Sequence, residues 1–160
     1  MSTLSVIATI AAIVGSALIG GIFFAFSNFI MKALERVPSS EGMLAMQTIN
    51  VTVLNRWFLG VFMGTALICL ILAVTAIVGW GAAHSPYVLG GAVAYVGGTW
   101  FVTGLGNVPL NNKLAAAKAE DPESATVWEH YLEHWSNLNT RRTGAALLAA
   151  VLFSIGLTHA

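Results

Sequence analysis

The stretch WFLGVFMGTALICLILAVTAIVGWGAAHSPYVLGGAVAYVGGTWFVTGLGNVPLNN, from Trp57 to Asn112, contains no Asp, Glu, Lys or Arg. A charged side chain at the centre of a bilayer costs about 3 kcal/mol or more, so a tract of this kind is suited to hydrocarbon. One membrane-spanning helix needs only about 20 residues. This tract has room for two, and the run Gly79-Trp80-Gly81-Ala82-Ala83-His84-Ser85-Pro86-Tyr87 breaks it near its middle with turn-forming residues. Two more charge-free tracts flank it, Met1 to Met31 and Thr143 to Ala160. The chain therefore reads as all-α, an integral membrane four-helix bundle in one domain over residues 1–160. The spans are expected at about 4–31, 57–80, 87–106 and 138–158.

Composition agrees. Hydrophobic residues make up 57% and charged residues 9%, against about 25% charged in a soluble domain. The net charge is zero, which removes the electrostatic basis for nucleic-acid binding. The single cysteine, Cys69, falls mid-span and reads as a small apolar residue. The first tract is expected to be a span and not a cleaved signal peptide. Its start, Met1-Ser2-Thr3, carries no Lys or Arg, and the apolar run from Leu4 to Ile30 outlasts an h-region of about 7–15 residues. Ser16 with Gly20, Ala17 with Gly21, and Gly60 with Gly64 have the spacing of close helix contacts.

All seven Lys and Arg lie in the first and third loops, as Lys32, Arg36 and Arg56, then Lys113, Lys118, Arg141 and Arg142. In a four-span protein these loops share a side. The positive-inside bias puts both in the cytoplasm and both termini outside, in the plasma membrane if the cell is bacterial.

In the first loop, Ser39-Ser40 before Glu41 reads as a helix N-cap region. The helix that follows is either an amphipathic one lying along the headgroups or one that points Gln47 and Asn50 together into the mouth of the bundle. The third span ends in Gly104-Leu105-Gly106-Asn107-Val108-Pro109-Leu110-Asn111-Asn112. Proline lacks a backbone donor and disfavours helix just before it, so an end or kink is expected near Asn107. Freed backbone groups at membrane depth need partners, and Asn107, Asn111 and Asn112 are suited to supply them or to cap the turn.

Asp121-Pro122 reads as N-cap and first helical residue. The charge-free run from Thr143 to Leu157 spans only about 22 Å, short of a hydrocarbon core of about 30 Å. One continuous helix starting in the cytoplasm resolves this, with Arg141 and Arg142 snorkelling. On that helix Trp128, Tyr131, Trp135, Asn139 and Arg142 fall within a stripe of roughly 80°. This places an amide and a guanidinium on the aromatic face, where a plain packing stripe would carry none. The same helix holds His130-Tyr131-Leu132-Glu133-His134, the H-x-x-E-H spacing of inverted zinc peptidases. There His130 and His134 would share a metal, with Glu133 as general base, but on the face opposite the stripe and with no distinctively spaced third ligand.

Four segments occur together: Phe23-Phe24-Ala25-Phe26-Ser27; Met46-Gln47 with Asn50; Asn107-x-Pro109-x-Asn111; and the Trp128–Arg142 stripe. In this combination the chain resembles the anthrone oxygenase-like family of small four-span membrane proteins, over nearly its whole length. The resemblance implies an oxidoreductase of monooxygenase type that oxidises a flat lipophilic phenol or ketone, such as an anthrone methylene, with O2. At the matching positions, Arg142, Asn139, Asn107 and Asn111 would hold an oxyanion. Gln47, Asn50, Trp128, Tyr131 and Trp135 would bind the substrate. An enolate that reacts directly with O2 requires no cofactor; a bound metal or haem is the alternative route. A non-catalytic binding module, or an accessory subunit of a membrane complex, is the competing class. The bilayer and a small aromatic substrate are the implied partners, and a homo-oligomer or a membrane protein partner remains open. The expected site is a pocket at the cytoplasmic end lined by Gln47, Asn50, Asn107, Asn111, Trp135, Asn139 and Arg142.

Overall fold

The computed structural model describes residues 1–121 and 123–160. Among these residues it has five helices: α1 Thr3–Glu35, α2 Ser39–Thr52, α3 Arg56–Val78, α4 Ser85–Ala116 and α5 Ser124–Thr158. All but α2 are long and apolar enough to cross a membrane, so the fold is an all-α four-span membrane bundle. α1 packs against α3 and α5, and α4 against α3 and α5. α2 covers the end of the bundle that carries the charged loops, touching α1, α4 and α5.

Local sequence sets the helix starts. Ser2 Oγ accepts from the Ser5 N–H, and Asn55 Oδ1 from those of Trp57 and Phe58 at 3.0 and 3.1 Å, so these two side chains cap α1 and α3. α2 departs from expectation here. Ser39 is its first helical residue and Pro38 stands at the cap position without a side-chain bond; the Pro38 carbonyl accepts from Glu41 and Gly42 instead. The turn between α3 and α4 falls in the glycine-rich run, where Gly81 has φ 114, a backbone that side chains rarely adopt.

α4 does not end near Asn107, the first of the two outcomes expected there. The helix continues through Pro109 to Ala116 because Thr103–Asn107 forms a π segment, in which the bonds skip to the fifth residue. Pro109 then falls in the first turn of the regular segment that follows, Val108–Ala116. α5 is continuous over 35 residues, about 52 Å, and so reaches well beyond the hydrocarbon. Its start, with Glu123 at the cap position, is two residues later than expected. Asp121 accepts from the Glu123 and Ser124 N–H groups ahead of the helix, and Pro122 lies outside the described residues.

Small residues let α5 sit at the centre. A Cβ on Gly98 would come within 2.5 Å of Ala145, one on Gly91 within 3.0 Å of the Phe153 ring, and one on Gly20 within 2.9 Å of Leu147. Ser16 and Gly20 are buried in this seam, while Ala17 and Gly21 face out. Gly60 and Gly64 also meet nothing within 4 Å, so that pair does not serve the packing its spacing suggested.

Candidate functional site

Arg142 projects into the bundle, with only 5% of its surface exposed. This corrects the snorkelling expected of the arginine pair: Arg141 is exposed, Arg142 is not. Nε and Nη2 of Arg142 donate to Asn139 Oδ1 at 3.0 and 2.9 Å, and Nη1 donates to Thr103 Oγ1 at 3.2 Å. The guanidinium carbon stands 3.8 Å from the centre of the Phe23 ring and 5.0 Å from that of Trp135, within cation–π range. Among the described residues no carboxylate lies within 4.0 Å of it. A buried cation held only by neutral groups keeps most of its charge available to an anion.

Neighbouring amides fix this arrangement. Asn139 is fully buried, and its Nδ2 donates to the Phe23 carbonyl and to Ser27 Oγ, both at 2.7 Å. That leaves its oxygen for the arginine. The Phe23 carbonyl stands at the entry to a π segment in α1, Phe26–Ile30, where the regular bond ladder is interrupted. On α4, Thr99 Oγ1 donates to the Arg142 carbonyl at 3.2 Å, and Thr99 and Thr103 lie in that helix's own π segments, Ala94–Phe101 and Thr103–Asn107. Wide turns thus flank the arginine on both neighbouring helices.

A second hub lies nearer the charged end. Trp128, Tyr131 and Trp135 form a stacked ladder, with ring centres 5.8 and 5.7 Å apart. Tyr131 Oη and Trp135 Nε1 both donate to Asn111 Oδ1 at 2.8 Å, and Asn50 Nδ2 donates to Tyr131 Oη at 3.3 Å. Between this hub and Arg142 is a cavity of about 260 Å³, close to the lower bound of small-molecule pockets. Phe23, Phe26, Ile49 and Phe58 supply apolar walls; Asn50, Thr103, Asn111, Asn112, Trp135 and Arg142 supply the polar ones.

The structure therefore brings Asn50, Asn111, Trp135 and Arg142 into one cavity, with Asn139 behind the arginine. The other expected lining residues sit elsewhere. Gln47 Nε2 donates to the Leu114 and Ala117 carbonyls at 2.7 and 3.0 Å, so it closes the end of α4 instead of facing the cavity beside Asn50. Asn107 Nδ2 donates to the Trp135 carbonyl at 3.2 Å, and its buried oxygen has no partner among the described residues. Trp128 is buried in a cluster with Met31, Met43, Met46 and Leu114. Tyr131 Oη is engaged by Asn111 and Asn50.

His130 and His134 stack at 3.9 Å on an exposed face, with His134 Nδ1 3.0 Å from the carbonyl of His130. Glu133 is exposed as well, and no group of three or more His, Cys, Asp and Glu side chains gathers among the described residues. The donor set of a zinc peptidase is not assembled there.

Sequence reading missed Phe23, Ser27, Thr99 and Thr103 as site residues. A signal existed for the threonines: Thr99, Thr103, Asn107 and Asn111 recur every four residues in an otherwise apolar helix, which marks a polar stripe.

Comparison with known families matches residues 55–152, more than half of the chain, to the model described as Anthrone oxygenase. The chain belongs to that family. The matched segment holds Asn107, Asn111 and the whole Trp128–Arg142 stripe, and leaves out α2 with Gln47 and Asn50. Neither the curated proteins nor the solved structures gave a match.

Proposed function

From membership of the anthrone oxygenase family and the surroundings of Arg142, we propose a membrane-embedded oxidoreductase that oxidises a flat, lipophilic phenol or ketone of the anthrone class with O2. The observation that carries the reading is a buried guanidinium, bound among the described residues by neutral partners, beside an aromatic-walled cavity. An anthrone methylene is acidic because its anion places the charge on the ring oxygen. Arg142 has N–H donors beyond those used by Asn139 and Thr103. Preorganised donors aimed at developing charge in a water-poor site are the strongest lever such a site has.

The overall change converts the methylene to a carbonyl. One oxygen atom of O2 stays on carbon, and the other leaves with both hydrogens as water. Among the described residues the cavity lining holds no carboxylate, histidine or cysteine. The chain's part is thus to bind the ring between Phe23, Phe26 and Trp135 and to hold the anion at Arg142, while the proton passes to water at the cavity mouth near the exposed Asn112.

The positive-inside bias supports a cytoplasmic position for the charged end. A C-terminal fusion should then show phosphatase activity and no cytoplasmic fluorescence; the reverse would overturn this orientation.

The functional test is O2 uptake by the purified protein in lipid nanodiscs supplied with an anthrone. One O2 should be consumed per quinone formed. Anthrone-class ligand binding without turnover, or co-purification with one stoichiometric membrane protein and no uptake, would favour the accessory-subunit reading instead.

A further inference from the structure

The corner of the bundle occupied by α3 is open at the level of the cavity. Phe58, in the first turn of α3, meets Phe23 edge-on with ring centres 6.5 Å apart. α3 starts there, while α1 continues to Glu35 and α4 to Ala116. Only the short connector from α2 to α3 crosses the gap. Ile22, Val53 and Phe58 line two hollows at once: the cavity beside Arg142, and an open groove of about 370 Å³ between α1 and α3.

The rim of this corner is apolar and turned outward, with Val51 75%, Leu54 64% and Trp57 74% exposed. Such a patch is a liability in water and at home in a bilayer. Arg56 lies over the Trp57 ring at 5.1 Å, a combination that belongs at headgroup level, so the groove opens into the acyl region just below. The aqueous end is packed except beside the exposed Asn112. Met43, Met46, Leu114 and Trp128 pack there, each at most 2% exposed.

We infer that the substrate reaches Arg142 sideways from the bilayer, through the corner between Val51 and Phe58. The inference rests on the functional reading above and narrows it. The substrate is an aromatic compound that dissolves in lipid as the neutral form and gains its charge only after its oxygen meets the guanidinium. An aromatic path supports this passage: Phe58 stacks on Phe62 with ring centres 5.8 Å apart and abuts Phe23, and Phe23 lies under the guanidinium at 3.8 Å.

The test uses the full chain in lipid nanodiscs, with a dihydroxyanthraquinone as a non-reacting probe followed by stopped-flow quenching of tryptophan fluorescence. Leu54→Cys is labelled with a bulky methanethiosulfonate; native Cys69 is fully buried and does not compete for the reagent. The label should slow both association and dissociation by about tenfold at unchanged affinity, as a gate at the entrance does, and reductant should restore the rate. The same label on Lys118→Cys, over the aqueous end, should have no effect. Slowing by the Lys118 label alone, equal slowing by both, or slowing by neither overturns lateral entry. If binding is still lost in Arg142→Lys, the functional reading survives that result. Absence of probe binding in the unmodified protein overturns both.

Discussion

Arg142 and Asn139 form a fork within a single turn of α5: two guanidinium nitrogens converge on one amide oxygen at 3.0 and 2.9 Å. The amide can present that oxygen because its nitrogen is committed to the Phe23 carbonyl and Ser27 of α1. The cation is thereby oriented from a neighbouring helix, through an intermediary that never needs to touch a ligand.

This geometry separates the two adjacent arginines. Arg142→Lys keeps a positive charge but cannot reproduce a planar fork of donors. Its turnover should fall by about 10²–10³, the typical cost of removing an oxyanion donor. Arg141→Lys, on the exposed face, should stay within about twofold of the parent, as surface substitutions do. Initial O2-uptake rates at equal membrane insertion decide it. Equal behaviour of the two variants would reduce Arg142 to a structural cation.

Asn139→Leu is expected to act on stability as well as on function. It takes a 2.7 Å donor from the Phe23 carbonyl, which keeps the Phe26 N–H of its own helix, and removes the oxygen that receives two guanidinium bonds. Leaving buried polar groups unpaired costs about 1–3 kcal/mol, more where charge is involved. Thermal unfolding in detergent should shift down by several degrees, in line with about 2–4 °C per kcal/mol for a chain of this size. An unchanged midpoint would mean that water replaces the amide.

The double substitution His130→Ala with His134→Ala should leave turnover within about twofold, since both rings stack on an exposed face away from Arg142. A large loss, matched in the parent by chelator treatment and reversed there by added zinc, would reinstate the histidine pair as a metal site.

The four spans were legible because the absence of charge over long tracts has few explanations in a bilayer-sized helix. The α5 stripe was legible because aromatic and polar residues share one helical period: its members Trp128, Tyr131, Trp135, Asn139 and Arg142 are all buried. The continuation of α4 through Pro109 was hidden, because it depends on a π segment whose wider turn has no residue signature of its own. Gln47 illustrates the remaining limit. Its placement on α2 followed from periodicity, but its partners are the Leu114 and Ala117 carbonyls, backbone groups that any sequence carries and no pattern announces.

Asn111 offers the sharpest separation between holding the site together and setting its charge. Its oxygen accepts from both Tyr131 and Trp135 at 2.8 Å, and Asn111 lines the same cavity as Arg142. Asn111→Leu removes the acceptor and leaves a buried phenol and indole unpaired, so the stability loss should be about 1–3 kcal/mol, with substrate affinity falling as Trp135 loosens. Asn111→Asp keeps an acceptor for both donors and strengthens it when ionised, so the fold should hold. It also places a negative charge in a cavity whose ligand becomes an anion, and that charge competes for Arg142. Binding of a flat aromatic sulfonate, which stays an anion throughout, should therefore be lost near neutral pH and return as the pH falls through the carboxyl's own titration, because the protonated acid is neutral again. The two variants should thus differ in sign: Asn111→Leu destabilised with no recovery in acid, Asn111→Asp stable with recovery. Probe affinity against pH, read beside thermal midpoints, distinguishes them, and a pH-independent loss in Asn111→Asp would show that the cavity does not bind an anion at all.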